Sequence, residues 1–193
     1  MKRGDVFINI RFDRQGEWLY LALIAGIVGV GLNPRCVVEV PHSHDRLRRI
    51  FNLIRSCAYS IHDLSCVQLG GAGQFRVPRF NMPFELGLAV SLSLQQKHEW
   101  AAFECVPYRL TRSLSDLNGY DQYTHRGMPA GAVEAVADLF HDLPSPPKRD
   151  PDELMEVYRL IQRFRRAKLP RDVFTARSFA KLVVAAREAV QVG

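Results

Sequence analysis

Residues 5–40 read "DVFINIRFDRQGEWLYLALIAGIVGVGLNPRCVVEV", and the order of patterns in that stretch decides the architecture. "DVFINI" (5–10) is a short, largely apolar run with β-branched and aromatic side chains, the composition of a buried strand. A helix is expected over about 16–31, and "PRCVVEV" (34–40) is a second strand. Strand, helix, strand is the unit of a parallel sheet, because parallel neighbours need a crossover. The alternation continues. "HDRLRRIFNLIRSC" (44–57) carries Leu47, Ile50, Phe51 and Ile54 at helical spacing, and "AYSIHDLS" (58–65) is a third strand. A glycine-rich loop, "QLGGAGQFRVPRF" (68–80), leads into a helix within "RFNMPFELGLAVSL" (79–92). "WAAFECV" (100–106) and "YDQYTH" (120–125) read as the fourth and fifth strands, and "PAGAVEAVADLFHDL" (129–143) as a closing helix.

These elements imply an α/β, flavodoxin-like three-layer sandwich with a mostly parallel five-stranded sheet. Ligands of such sheets bind beyond the carboxyl ends of the strands, at the topological switch point. After residue 143 the texture changes. Residues 144–150 form a proline-rich linker, and 151–193 a C-terminal helical hairpin. Asp150 is placed to cap the first of its helices (151–168), with Pro151 at the first helical position and Glu153 completing a capping box. The second helix (176–191) aligns Phe179, Leu182, Val183, Ala186 and Val190 on one stripe. The hairpin either packs on the 1–143 domain or pairs with another chain.

Composition limits the partners. No apolar run reaches the roughly 18 residues needed to span a bilayer, and the N-terminus lacks the features of a secretion signal, so a cytoplasmic protein without membrane contact is expected. Cys36, Cys57, Cys66 and Cys105 form no CxxC pair and read as reduced thiols. The net charge of +6 is concentrated in the tail: residues 1–150 hold 17 basic and 15 acidic side chains, and 151–193 hold 9 and 5. That distribution fits a solvated helix face better than a nucleic-acid surface. His42 and His44 lack a third ligand and read as loop histidines, so no metal is expected. The glycines at 70, 71 and 73 lack the lysine and serine of a phosphate-binding loop and read as a lid.

Polar residues at strands' ends carry the chemistry. "NIRFD" (9–13), "HDLS" (62–65) and "NMPFELG" (81–87) fall where one edge of a parallel sheet gathers them. Arg11, Asp13, Asp63, Ser65 and Glu85 are therefore candidates for one cleft. With Asn81 or Met82 capping its helix, Glu85 lies near the positive end of the dipole, which favours the anion. Such an anion suits hydrogen bonding to ribose hydroxyls or stabilising an oxocarbenium-like centre. Taken alone, an acid at this place also reads as one that only satisfies the dipole and the free amides of the first turn. His62 is expected to face away from Asp63 by strand alternation, and Asp121 to serve a turn.

Over residues 5–143 the ordered segments "VFINIRFD", "YSIHDLS", "RFNMPFELGLAVSL" and "DLNGYDQYTH" resemble the TIR-like branch of the TIR and nucleoside 2-deoxyribosyltransferase superfamily, found in bacterial nucleotide-binding and antiviral-defence proteins. The resemblance implies that Glu85, which matches the superfamily's helix-start glutamate, attacks or stabilises ribose at its glycosidic bond. It also implies that Asp63 and Ser65 line a nucleotide site, with Asn9, Asn81 and Met82 beside it, and that Arg11, Phe12 and Asp13 form a loop over it. The expected activity is cleavage of the nicotinamide–ribose bond of NAD or a related nucleotide, with NAD as substrate and no separate cofactor. The alternative is a non-catalytic nucleotide sensor that signals through its helical tail. Either reading implies a homo-oligomer or regulatory partner acting through the C-terminal helices. The short basic segment "EVPHSHDRLRR" (39–49) departs from the assembly loop of TIR domains.

Overall fold

A computed structural model describes residues 2–41, 44–65, 69–70, 77–78, 80–143, 149–169 and 172–192. His42, Cys66, most of the glycine-rich loop, Pro170 and linker residues 144–148 lie outside the described residues.

Among the described residues, seven strands and seven α-helices follow in the order β1 (Lys2–Asn9), α1 (Glu17–Gly29), β2 (Asn33–Cys36), α2 (Arg46–Ser56), β3 (Cys57–Asp63), β4 (Leu69–Gly70), β5 (Val77–Pro78), α3 (Asn81–Ser93), β6 (Glu99–Glu104), α4 (Arg109–Ser113), β7 (Gln122–Thr124), α5 (Pro129–Leu139), α6 (Pro151–Lys168) and α7 (Ala176–Val192). The main sheet has the order β2-β1-β3-β6-β7. All four of its strand pairings are parallel, while β4 and β5 form a separate two-stranded ladder. From β1 the chain moves outward to β2 and then returns to the other side at β3. The switch point therefore lies between the carboxyl ends of β1 and β3.

Strand alternation sorts the core into two faces. Val6 and Ile8 of β1 join α1, α5, α6 and α7, whereas Phe7 packs with α2 and α3. α1 is apolar on every side and is buried from Leu19 to Gly29, because the sheet lies under it and the C-terminal helices over it. At Gly29 a Cβ would stand 2.1 Å from a Leu154 methyl, so the missing side chain lets α6 approach. Of the two fates open to the hairpin, packing on the domain is the one observed: Leu154, Val157, Tyr158, Ile161, Phe179 and Leu182 share the core of α1. The capping box at Asp150 and Glu153 forms in both directions.

Element ends differ from expectation where a side chain captures the backbone. The second strand stops at Cys36 rather than Val40, because the Glu39 carboxylate accepts from Cys36 N at 2.9 Å and pairs with Arg35, drawing Val37–Glu39 into a 3-10 turn. The fourth strand ends at Glu104 rather than Val106, since the Glu104 carboxylate takes the amides of Cys105 and Val106. No helix among the described residues is long and apolar enough to cross a membrane.

Candidate functional site

The carboxyl ends of β1, β3 and β6 and the segment after β7 bring Asn9, Asp63, Glu104 and His125 to one edge, all four buried. The side chains there form three groups.

The first is a buried chain of hydrogen bonds. Asn9 Nδ2 donates to the Met82 carbonyl at 3.0 Å and meets His62 Nδ1 at 2.9 Å. His62 Nε2 meets Ser60 Oγ at 2.9 Å, Ser60 Oγ meets His98 Nε2 at 2.9 Å, and His98 Nδ1 meets the Cys57 carbonyl at 3.1 Å. One proton arrangement satisfies all of them. The Cys57 carbonyl only accepts, so His98 carries its proton on Nδ1 and accepts from Ser60 on Nε2. Ser60 then accepts from His62 Nε2–H, leaving His62 Nδ1 to accept from Asn9. Both rings are neutral. Burial pushes His62 down to about 3, with the neighbouring His98 adding to the fall, and burial likewise lowers His98. His62 and Asp63 do point to opposite faces: His62 lies under α3 and Asp63 joins a different group.

In the second group the Asp63 carboxylate accepts from Ser65 N at 3.2 Å, from Ser65 Oγ at 2.5 Å and from His125 Nε2 at 3.2 Å. Gly127 N donates to His125 Nδ1 at 3.0 Å, so the ring proton sits on Nε2, which also faces Ser65 Oγ at 2.9 Å. Serine and aspartate thus share one ring nitrogen, and the serine gives its proton to the aspartate. Aspartate, histidine and serine do not form a nucleophilic triad, which needs them on opposite nitrogens. Trp18 packs edge-on against His125, and at Gly131 a Cβ would stand 2.4 Å from the His125 carbonyl, so α5 presses this loop into place.

The third is a clamp. The Glu104 carboxylate accepts from Arg109 Nη2 at 2.6 Å and Nε at 2.9 Å, and Arg109 also donates to the Ser65 carbonyl at 2.7 Å. It ties the end of β6 to the loop after β3.

Glu85 stands apart from all three groups. It is the fifth residue of α3 and shares the buried stripe of Met82, Leu86, Ala89 and Leu92, one turn beyond the carbonyl held by Asn9. It is 9% exposed, and its Oε2 has no hydrogen-bond partner among the described residues. Burial pushes the carboxyl up to about 7, against the opposing charge of Arg46. The expected lowering by the helix dipole is thereby corrected: Phe80, not Asn81 or Met82, precedes the first helical residue, and Glu85 lies past the first turn, where the dipole's influence fades. Desolvation then dominates.

The remaining candidates are placed as follows. Arg11 and Asp13 pair with each other, at 2.7 Å from Nε to Oδ1, and Asp13 also accepts the amides of Gln15 and Gly16, which shapes the turn into α1. Burial would raise the Asp13 carboxyl, but Arg11 and those amides together hold it below its ordinary value. Phe12 packs edge-on against Tyr20 and Phe174, and Asn81 is exposed. Sequence reasoning passed over Ser60, His98, Glu104, Arg109 and His125. A polar residue ending each apolar run, "FE" at 103–104 and "TH" at 124–125, was the available signal. Among the described residues, no group of three or more His, Cys, Asp or Glu is arranged to hold a metal ion.

Compared with known proteins, the chain matches no family model, no curated protein and no solved structure.

Proposed function

We propose that the protein is a nucleotide N-ribosyl hydrolase or transferase that cleaves the nicotinamide–ribose bond of NAD or a related nucleotide, with Glu85 as the working carboxylate. The observation that carries this reading is a buried carboxylate oxygen without a partner among the described residues, one helical turn from the switch point of a parallel sheet. A structural acid beneath a helix would be hydrogen-bonded, since leaving such an atom unsatisfied is costly. A ligand that supplies positive charge relieves that cost.

The chemistry follows from the same desolvation. Near neutral pH a carboxyl titrating at about 7 is close to half ionised. Its anion, poorly solvated, gains from any cation that forms in front of it. Nicotinamide joined to ribose is already cationic, so its departure needs no general acid. As the C1′–N bond breaks, its electron pair returns to the ring nitrogen and positive charge grows on C1′. The Glu85 anion stabilises that charge or bonds to C1′. Water, or a second nucleophile, then adds to C1′, and one proton is released.

Incubating the purified protein with NAD and measuring free nicotinamide tests the proposal. Turnover that disappears in Glu85→Gln with the fold intact supports it. Nucleotide binding without turnover in any oligomeric state replaces the enzyme with a sensor that signals through α6 and α7, and neither binding nor turnover removes both.

A further inference from the structure

The loop after β6 is built around a residue in an unfavourable conformation. Val106–Arg109 is a tight turn closed by Arg109 N donating to the Val106 carbonyl at 3.4 Å, with Pro107 and Tyr108 at its centre. Tyr108 has φ 61° and ψ 5°, the left-handed geometry of the third residue of a type II turn, where glycine or asparagine is the usual occupant. A tyrosine there carries strain that the surroundings must over-determine.

They do so through one carboxylate. Glu104, 1% exposed, accepts from the amides of Cys105 and Val106 before the turn and from the Arg109 guanidinium after it. Both arms of the loop are fastened to the same side chain, and Arg109 fastens the loop in turn to the Ser65 carbonyl. The tip held this rigidly is a phenol ring that is 75% exposed. It has company: Leu47, Phe80, Phe84, Val106 and Met128 are also exposed, and each lies in a loop or first helical turn at this same carboxyl edge. Scattered apolar residues need no explanation, but several exposed at the edge where parallel sheets bind their ligands suit a ligand site.

We infer that Tyr108 is a stacking platform for a planar heteroaromatic ring of the ligand held at the carboxyl edge. A ring on a rigid support gives up little conformational freedom when it stacks, which is what the clamp provides. The inference rests on the nucleotide reading above and names the part of the nucleotide that Tyr108 would recognise, its base or its nicotinamide.

Calorimetric titration with carbocyclic NAD, which cannot lose its nicotinamide, tests it beside ribose 5-phosphate, which has no aromatic ring. Asparagine tolerates the left-handed conformation, so Tyr108→Asn removes the ring without disturbing the turn. It is expected to weaken carbocyclic NAD roughly ten- to hundredfold, the usual range for one stacked base, and to leave ribose 5-phosphate unchanged. Tyr108→Phe should bind like wild type. The melting temperature of Tyr108→Asn should stay level or rise, because strain is released. Equal binding of carbocyclic NAD by wild type and Tyr108→Asn overturns the inference while the nucleotide reading stands. Failure of wild type to bind carbocyclic NAD at all overturns both.

Discussion

His62 and Glu85 lie on the same side of the sheet, joined through the Asn9 amide and the first turn of α3, and both lose charge on burial. Their surroundings are opposites. Each nitrogen of His62 has a partner, and the chain from Asn9 to Cys57 admits a single arrangement of protons. Glu85 keeps an oxygen with none among the described residues. A complete network is what a structural role requires, since every polar atom then repays its removal from water. An incomplete one persists when something outside the chain completes it. Burial alone therefore does not mark a functional group; what singles out Glu85 is an unsatisfied carboxylate close to the switch point of the sheet.

The comparison breaks most visibly in turnover. Glu85→Gln keeps the shape and removes the charge, and nicotinamide release should fall by about 10²–10⁴-fold, measured with saturating NAD. The corresponding change in the chain, His62→Ala, should act on stability instead. It takes one of two partners from the Asn9 amide and from the Ser60 hydroxyl, beside a cavity, at a cost on the order of 3 kcal/mol in denaturant unfolding. If His62→Ala lowered turnover as far as Glu85→Gln at full stability, the division of roles would be wrong.

Acid and base should pull the two centres apart. Glu85 titrates at about 7 when folded against 4.5 in the reference state, so the native protein holds its proton more tightly. That contribution is complete below pH 4.5 and disappears as the pH rises to about 7, on the order of 3 kcal/mol in all. His62 has the reverse sign. It titrates at about 3 when folded against 6.5, so the unfolded chain binds the extra proton and stability falls as the pH drops from 6.5 towards 3. Melting temperatures of wild type and Glu85→Gln should diverge at pH 8, with the variant higher, and converge near pH 4.5. Coincident curves at every pH would mean that Glu85 is not desolvated.

Much of the fold was legible because parallel strands must be apolar and helices must alternate with them; "DVFINI" and "AYSIHDLS" announce their burial without reference to anything distant. The places where strands stop were not legible in that way. Glu39 and Glu104 end their strands by capturing backbone amides, and an acid in an apolar run does not show which amide it will take. The site divides similarly. Glu85, Asp63 and Ser65 stood out as polar residues at element ends, but His125 reaches Asp63 across 62 positions, and that pairing exists only after the sheet forms. The protonation of Glu85 was misread because the burial that raises its carboxyl comes from tertiary packing, which the helix pattern does not show.

The smallest change sharpens the contrast most directly. The Ser60 hydroxyl bridges the two histidines, and Ser60→Ala removes it while each ring keeps its outer partner: Asn9 for His62 and the Cys57 carbonyl for His98. Two inner ring nitrogens lose their bond, yet the volume removed is small, so the cost should be about 1–3 kcal/mol. Nitrogen-15 shifts of the rings distinguish this from general loosening. In wild type, His62 should carry its proton on Nε2 and His98 on Nδ1. With Ser60 gone, both rings should keep their tautomers, because the Cys57 carbonyl still demands the proton on His98 Nδ1 and Asn9, its Nδ2 held by the Met82 carbonyl, still donates to His62 Nδ1. Met82 and the start of α3, tied to that amide, should stay where they are. Glu85, which none of these bonds reaches, should titrate where it did before.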